Sequence, residues 1–309
     1  MLNFLILIAI GILFYLLSKS AGVVVDSIRK IGHMFHIPII FLGFILGFLT
    51  SLPELSVAVS ASAKNLSDLS LGNLLGGIVV LFGLILGVSI FFSRPISTDG
   101  RYKTILPIVG YSFLPFLLGL NGEISFFEGI FLIVAYFVLV IFLFEEMGHK
   151  EITKPITHHH SLAKQIIFTI IGIVSLLFIS NLIIRLTETI LESYNVSPLF
   201  IGLLLFSLGT NLPEIAVAFR SIKKHVPELP LASIFGSAIA NPLIIGILSI
   251  INPIPIERTG AYAILTVSTG VLLIFIFRSY KTGGEFSKKE GGTLIFLYGA
   301  IILLQIIFS

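Results

Sequence analysis

Cysteine is absent from this 309-residue chain, which therefore holds no disulfide, no thiolate metal site and no cysteine nucleophile. Charge is scarce as well. Only 11% of residues are Asp, Glu, Lys or Arg, against 56% that are hydrophobic, and the formal net charge is +3. Mean hydropathy is +1.09. Apolar runs of about 20 residues recur from end to end, which excludes a soluble globular domain and makes the bilayer the main solvent. No histidine lies inside an apolar run: His33, His36, His149, His158, His159, His160 and His225 stand at run ends or in polar connectors. The first run has neither a basic leader nor a small-residue cleavage site, so it reads as a spanning helix rather than a removed signal.

What is present is a series of hydrophobic segments. They cover 2–17, 38–61, 70–92, 105–120, 124–144, 166–184, 198–219, 229–251, 261–277 and 293–308. The first and sixth continue into amphipathic tails, one with Asp26, Arg29 and Lys30, the other with Arg185, Glu188 and Glu192. The expectation is an all-α polytopic membrane protein with ten transmembrane helices. Basic residues crowd the cytoplasmic loops of such proteins. With ten spans, one side receives Arg29, Lys30, Arg94, Arg101, Lys103, Lys150, Lys154, Lys164, Arg220, Lys223, Lys224, Arg278, Lys281, Lys288 and Lys289. The other keeps Lys64 and Arg258. Both termini are then expected on the extracellular side of the cell membrane. The His158–His160 tract falls in the polar connector and reads as a solvated loop rather than a metal site.

The two halves repeat at a constant offset of 160. Pro38 matches Pro198, Thr50 matches Thr210, and Leu52-Pro53-Glu54 matches Leu212-Pro213-Glu214; Lys64 with Lys224 and Gly76 with Gly236 keep the same register. Each half holds five spans, an odd number, so the second copy enters the membrane from the opposite face: an inverted-topology repeat. The expected organisation is a first five-helix repeat over 1–147, a cytoplasmic connector over 148–164 and a second repeat over 165–309.

Each copy of the motif sets a carboxylate and a helix-breaking proline in a run that is otherwise apolar. A charge at membrane depth is costly, so Glu54 and Glu214 are functional candidates by default. Proline frees a backbone carbonyl one turn earlier, which can face an ion. Two such elements in corresponding positions of two halves point to a transport site. Thr50 lies four residues before Glu54, and Thr210 four before Glu214, so on a helix each pair shares a face. Hard oxygen donors suit calcium, magnesium, manganese or sodium. Two facing carboxylates repel, and one divalent ion or two or more monovalent ions would neutralise them. The third and eighth segments add Gly72-Asn73-Leu74-Leu75-Gly76-Gly77 and Ala232-Ser233-Ile234-Phe235-Gly236-Ser237, whose small residues allow close helix approach. Asn241 follows Ser237 by one turn.

This motif pair resembles the α-repeats of the cation/calcium exchanger superfamily, most closely its prokaryotic sodium/calcium exchanger branch, which carries Gly-Thr-Ser-Leu-Pro-Glu in both halves. The resemblance implies that Glu54 and Glu214 are central carboxylates shared by calcium and sodium. It also implies that Thr50, Ser51, Thr210 and Asn211 supply oxygens, and that the carbonyls of Gly47 and Ser207 join them. Ser237 and Asn241 fall on ligand positions of the eighth helix. The third helix departs from the family pattern: Gly77 stands where the family has Ser, and Leu81 where it has Asn or Asp.

The function expected is secondary antiport of Ca2+ against Na+ by alternating access, with no organic cofactor and no enzymatic step. The loss of oxygens at 77 and 81 keeps a proton/calcium, or other divalent, antiporter open as an alternative. An intramembrane hydrolase lacks histidine ligands at depth, and a passive channel has no use for paired broken helices. The expected partners are membrane lipid and inorganic cations, with no nucleic acid, and a monomer suffices for transport.

Overall fold

The computed structural model describes residues 2–35, 48–92, 96–97, 100–147, 161–194, 197–224, 228–256, 260–282 and 285–308. Gly47, the start of the second apolar segment and the connector at 148–160 with its histidine tract lie outside this set. The described chain is almost wholly helical: α1 (Leu2–Met34), α2 (Leu52–Ser62), α3 (Ser67–Phe92), α4 (Tyr102–Leu118), α5 (Phe126–Met147), α6 (Leu162–Tyr194), α7 (Pro198–Thr210), α8 (Leu212–Lys224), α9 (Glu228–Ile251), α10 (Gly260–Thr282) and α11 (Lys288–Phe308). Eight of these are long and apolar enough to cross a membrane, or nine if the pair α7–α8, bent by 45°, is one broken span rather than a re-entrant loop. The expected second span is described only from Phe48 onward. The chain is a multi-pass membrane protein.

Helices α1 and α6 contain 33 residues each. At about 1.5 Å per residue such a helix runs about 50 Å, well beyond a hydrocarbon layer of about 30 Å. They pack along each other and present most of their remaining surface outward, with Phe4, Ile12, Ile167 and Phe178 exposed. By contrast, α3 is buried along nearly its whole length. Buried apolar residues form two clusters among the described residues. One joins α1 and α6 to the inner faces of α2 and α7; the other gathers α3, α4, α5, α9, α10 and α11.

Close approach of α3 and α7 explains the glycines of the third segment. A β-carbon on Gly72 would lie 2.2 Å from the Leu199 carbonyl oxygen, and one on Gly76 would lie 2.7 Å from Leu203 Cα. From the other side, a β-carbon on Gly202 would meet the Leu69 carbonyl oxygen at 2.3 Å. Backbone therefore packs on backbone, as small-residue faces permit in membranes. Each helix contains a stretch of wider π-type turns near this contact, at Val80–Ile85 and Gly202–Phe206.

Two short antiparallel strand pairs, absent from the helical expectation, close the ends. β1 (Ile96–Ser97) pairs with β4 (Glu285–Phe286), and β2 (Glu123–Ile124) pairs with β3 (Ile254–Pro255). The first pair ties the α3–α4 connection to the α10–α11 connection. The second ties the α4–α5 connection to the α9–α10 connection. Each pair joins one half of the chain to the other, so the connections it ties share one end of the helix bundle. Elsewhere, the Lys64 ammonium pairs with Glu188, linking the end of α2 to α6, and one turn earlier on α2 the Ser60 and Ser180 hydroxyls lie 2.7 Å apart.

Candidate functional site

Both Pro-Glu motifs break a helix, and they break it the same way. Ser51 has φ −91° and ψ 16°; its counterpart Asn211 has φ −83° and ψ 15°. These are bridge-region values, where the chain leaves helical geometry without reversing. Pro53 and Pro213 fall in the first turn of the helix that resumes, where the missing N–H costs nothing. The break turns Glu54 and Glu214 inward at the head of α2 and α8.

Five of the ten expected site residues, Glu54, Glu214, Thr50, Thr210 and Ser237, form one connected cluster here. Glu54 and Glu214 interact electrostatically across the two halves, and both are almost completely buried. Ser237 on α9 donates to Glu214 Oε1 at 2.7 Å, and its oxygen lies 3.3 Å from Thr50 Oγ1. Thr210 reaches the Glu54 carboxylate. Thr210 therefore serves the glutamate of the opposite half, and Thr50 meets the Ser237 that donates to Glu214. Asn211 and Asn241 are each locked through the amide: Asn211 Nδ2 donates to the Ser207 carbonyl at 2.8 Å, and Asn241 Nδ2 to the Leu74 carbonyl at 3.1 Å. Ser207 accepts the Asn211 bond and turns its hydroxyl back onto the Leu203 carbonyl, so its side chain faces its own helix. Gly47 lies outside the described residues.

The polar atoms left over are nearly all oxygens. Ser51 Oγ, Glu54 Oε2, Asn211 Oδ1, Glu214 Oε2 and Asn241 Oδ1 are buried with no hydrogen-bond partner among the described residues. No Lys or Arg among the described residues forms an ion pair with either glutamate. Orphaned buried acceptors are expensive, and two adjacent unpaired carboxylates more so. Such a set of hard oxygens around two negative charges could hold a cation. The Asn73 Nδ2 amide is also unpaired nearby.

The chain matches the sodium/calcium exchanger protein family over residues 5–145 and 164–307, which is nearly its whole length. It belongs to that family. Among relatives of this exchanger, a membrane protein of Methanocaldococcus jannaschii is 26% identical over 240 residues, spanning 76% of this chain and 77% of the relative. The sodium/calcium exchanger MaX1 of Methanosarcina acetivorans is 25% identical across 98% of both chains. The inner membrane protein YrbG of Escherichia coli is 24% identical across 96% of this chain and 94% of its own. A solved structure of the sodium-calcium exchanger NCX_Mj shares the fold, with a TM-score of 0.66 at 22% identity, over 97% of this chain and 98% of that one.

Two residues of this exchanger's site were not singled out as site residues in the sequence. Asn73 Oδ1 lies within hydrogen-bond distance of the Thr210 hydroxyl, at 3.1 Å, with the Phe206 carbonyl at 3.0 Å as an alternative acceptor. The signal was a lone Asn in an apolar helix between two glycines. Gly77 is the second. A β-carbon there would lie 2.5 Å from Asn241 Nδ2 and 3.4 Å from Asn211 Nδ2, so the two amides fill the space a larger residue would need. That requirement arises between residues more than a hundred positions apart.

Proposed function

We propose that the protein is a secondary antiporter that exchanges Ca2+ for Na+ at a midplane site built on Glu54 and Glu214. One observation carries the reading: the buried Glu54 and Glu214 carboxylates interact across the two halves, each keeps an unpartnered oxygen, and no basic side chain among the described residues pairs with either. Calcium takes about six to eight oxygens, and the five unpartnered oxygens of Ser51, Glu54, Asn211, Glu214 and Asn241 with the Thr50 and Thr210 hydroxyls reach that range. The resident charge of the empty pocket resists reorientation through the bilayer, whereas a loaded, neutral pocket moves at lower cost. That difference couples one ion to another.

The architecture proposed with it is ten helices in two inverted repeats of five, with both termini outside the cell membrane. Matching break geometry at Ser51 and Asn211 supports the repeat. So do the strand pairs: exchanging the halves turns the β1–β4 pair into the β3–β2 pair, and the ten-span count assigns the two pairs to opposite sides of the membrane. Helices α1 and α6, which pack on each other and on α2 and α7 in a cluster of their own, are the elements that slide or rock to alternate access.

Gly77 and Leu81, which remove oxygens from the α3 side, favour a second reading in which protons replace sodium. Calcium-45 flux into proteoliposomes, driven by sodium, potassium or proton gradients imposed one at a time, tests both. We expect sodium to drive uptake, and Glu54→Gln or Glu214→Gln to lower it by about a hundredfold or more, the upper end for disturbing even an indirect ligand. Equal uptake under every gradient, or normal uptake in both variants, would overturn the antiport site.

A further inference from the structure

We propose that Lys64 and Glu188 form a one-sided latch, which holds α6 against α2 at the extracellular end of the site and has no equivalent at the cytoplasmic end. The proposal rests on the antiport reading, in which α1 and α6 are the moving helices. The two halves differ where those helices meet the broken ones. Helices α1 (Leu2–Met34) and α6 (Leu162–Tyr194) are offset by 160, as are the Pro-Glu motifs that open α2 and α8, so each contact of α6 with α2 has a counterpart between α1 and α8. On α2, Ser56, Val57 and Ser60 are buried, and Val57 falls in one buried cluster with Ile183 and Ile184 of α6. The counterparts on α8 are uncovered: Ala216 and Arg220 are exposed and Val217 is half-buried. Helix α6 therefore closes over α2, while α1 meets α8 more sparingly.

The polar contacts are one-sided too. Lys64 pairs with Glu188, and the Ser60 and Ser180 hydroxyls lie 2.7 Å apart. At the offset of 160, Glu188 corresponds to Ile28 and Lys64 to Lys224. Ile28 offers no charge. The single acid of α1, Asp26, is exposed and lies about 200° around the helix from position 28. Ser180 corresponds to Ser20, whose hydroxyl bonds the Leu16 carbonyl of its own helix, and Ser60 corresponds to Arg220. In an inverted repeat, the second access state arises when the halves exchange roles. Helix α6 then leaves α2 and α1 seats on α8, so the outer seam loses an ion pair that the inner seam does not rebuild. Such a difference in interaction between two states shifts the equilibrium between them. The two side chains are 22% and 36% exposed, so the pair favours outer closure by about two- to fivefold, the range for a partly solvated pair.

The test uses the full chain, which has no native cysteine. Ala61 is fully buried in the same seam. In an Ala61→Cys background, the rate of reaction with a membrane-impermeant maleimide in intact cells reads how often α6 leaves α2. Glu188→Gln should raise that rate about two- to fivefold, and the charge-swapped pair Lys64→Glu with Glu188→Lys should return it to the parent value. An unchanged rate in Glu188→Gln, or a swap that fails to restore it, overturns the latch. A second measurement is covalent. The Ser60 and Ser180 hydroxyls are close enough that Ser60→Cys with Ser180→Cys should form a disulfide. Oxidation should stop sodium-driven calcium-45 uptake into proteoliposomes, and reduction should restore it. Full uptake with the disulfide formed, or a cysteine pair that does not oxidise, overturns the latch and leaves antiport standing. No uptake by the reduced protein under any counter-ion gradient overturns the antiport reading, while the maleimide rates, which need no transport, still decide the latch.

Discussion

Glu54 and Glu214 carry the chemistry of the proposed site, and their surroundings set a sign for how stability responds to their removal. Each carboxylate keeps one oxygen without a hydrogen-bond partner, and the two repel across the pocket. In ion-free buffer the native state therefore bears an electrostatic load that a carboxamide would relieve. Glu54→Gln and Glu214→Gln should each melt higher than the parent without calcium, while losing the stabilisation calcium confers. For the parent, calcium at about a hundred times its Kd contributes about 2.7 kcal/mol. Thermal melts of detergent-solubilised protein with chelator and with calcium measure both effects. Variants that melt lower without calcium and still respond to it would contradict the site. Ser237 illustrates the opposite kind of residue. It donates to Glu214 and touches Thr50, so it orients both rather than adding charge.

Among the elements, the α3–α7 contact is where sequence choice is most constrained. A β-carbon added to Gly72 of α3 would lie 2.2 Å from the Leu199 carbonyl oxygen, and the obstacle is backbone rather than a movable side chain. Overpacking of this kind costs about 1–3 kcal/mol or more. Here it would also push apart the helices that carry Asn73 and Thr210. Gly72→Ala should lower both the yield of monodisperse protein and its melting temperature. Gly110→Ala, at a glycine with nothing within 4 Å, should leave both unchanged. Size-exclusion profiles and melts of the two variants make the comparison, and equal behaviour would mean the contact is looser than described. The long pair α1 and α6 differs in kind: it meets the rest of the molecule through side chains. Phe14 packs edge-on against Phe206 with ring centroids 5.3 Å apart, and Lys64 pairs with Glu188 at the far end of α2. Side-chain contacts re-form after a shift more readily than backbone seats, which suits helices proposed to move.

For the whole molecule, the strand pairs make the topology testable. β2 carries Glu123 and pairs with the α9–α10 connection, whereas Lys103 opens α4 next to the connection that pairs with β4. If the halves are inverted and the termini lie outside, these two exposed positions face opposite compartments. The chain has no cysteine, so single cysteines can be introduced without background. Glu123→Cys in intact cells should react with a membrane-impermeant maleimide, and Lys103→Cys should react only after permeabilisation. Labelling of both from one side would refute the ten-span count.

The ionic and apolar pattern along the chain determined a great deal by itself. Hydropathy placed most of the helices, the offset of 160 paired the motifs, and Pro53 with Glu54 and Pro213 with Glu214 marked where helices break. All of these are local or periodic properties, additive along the chain, so they survive without coordinates. Other features depend on which atoms meet across the halves, and only the tertiary structure decided them. Thr210 could be assigned by spacing to its own Glu214, yet it reaches Glu54 of the opposite half. Gly77 read as a lost ligand, yet it makes the room that Asn211 and Asn241 occupy. The strand pairs, two residues long, carry too little local signal to find. Distances between segments more than a hundred residues apart are set by packing, and packing is not a sum over positions.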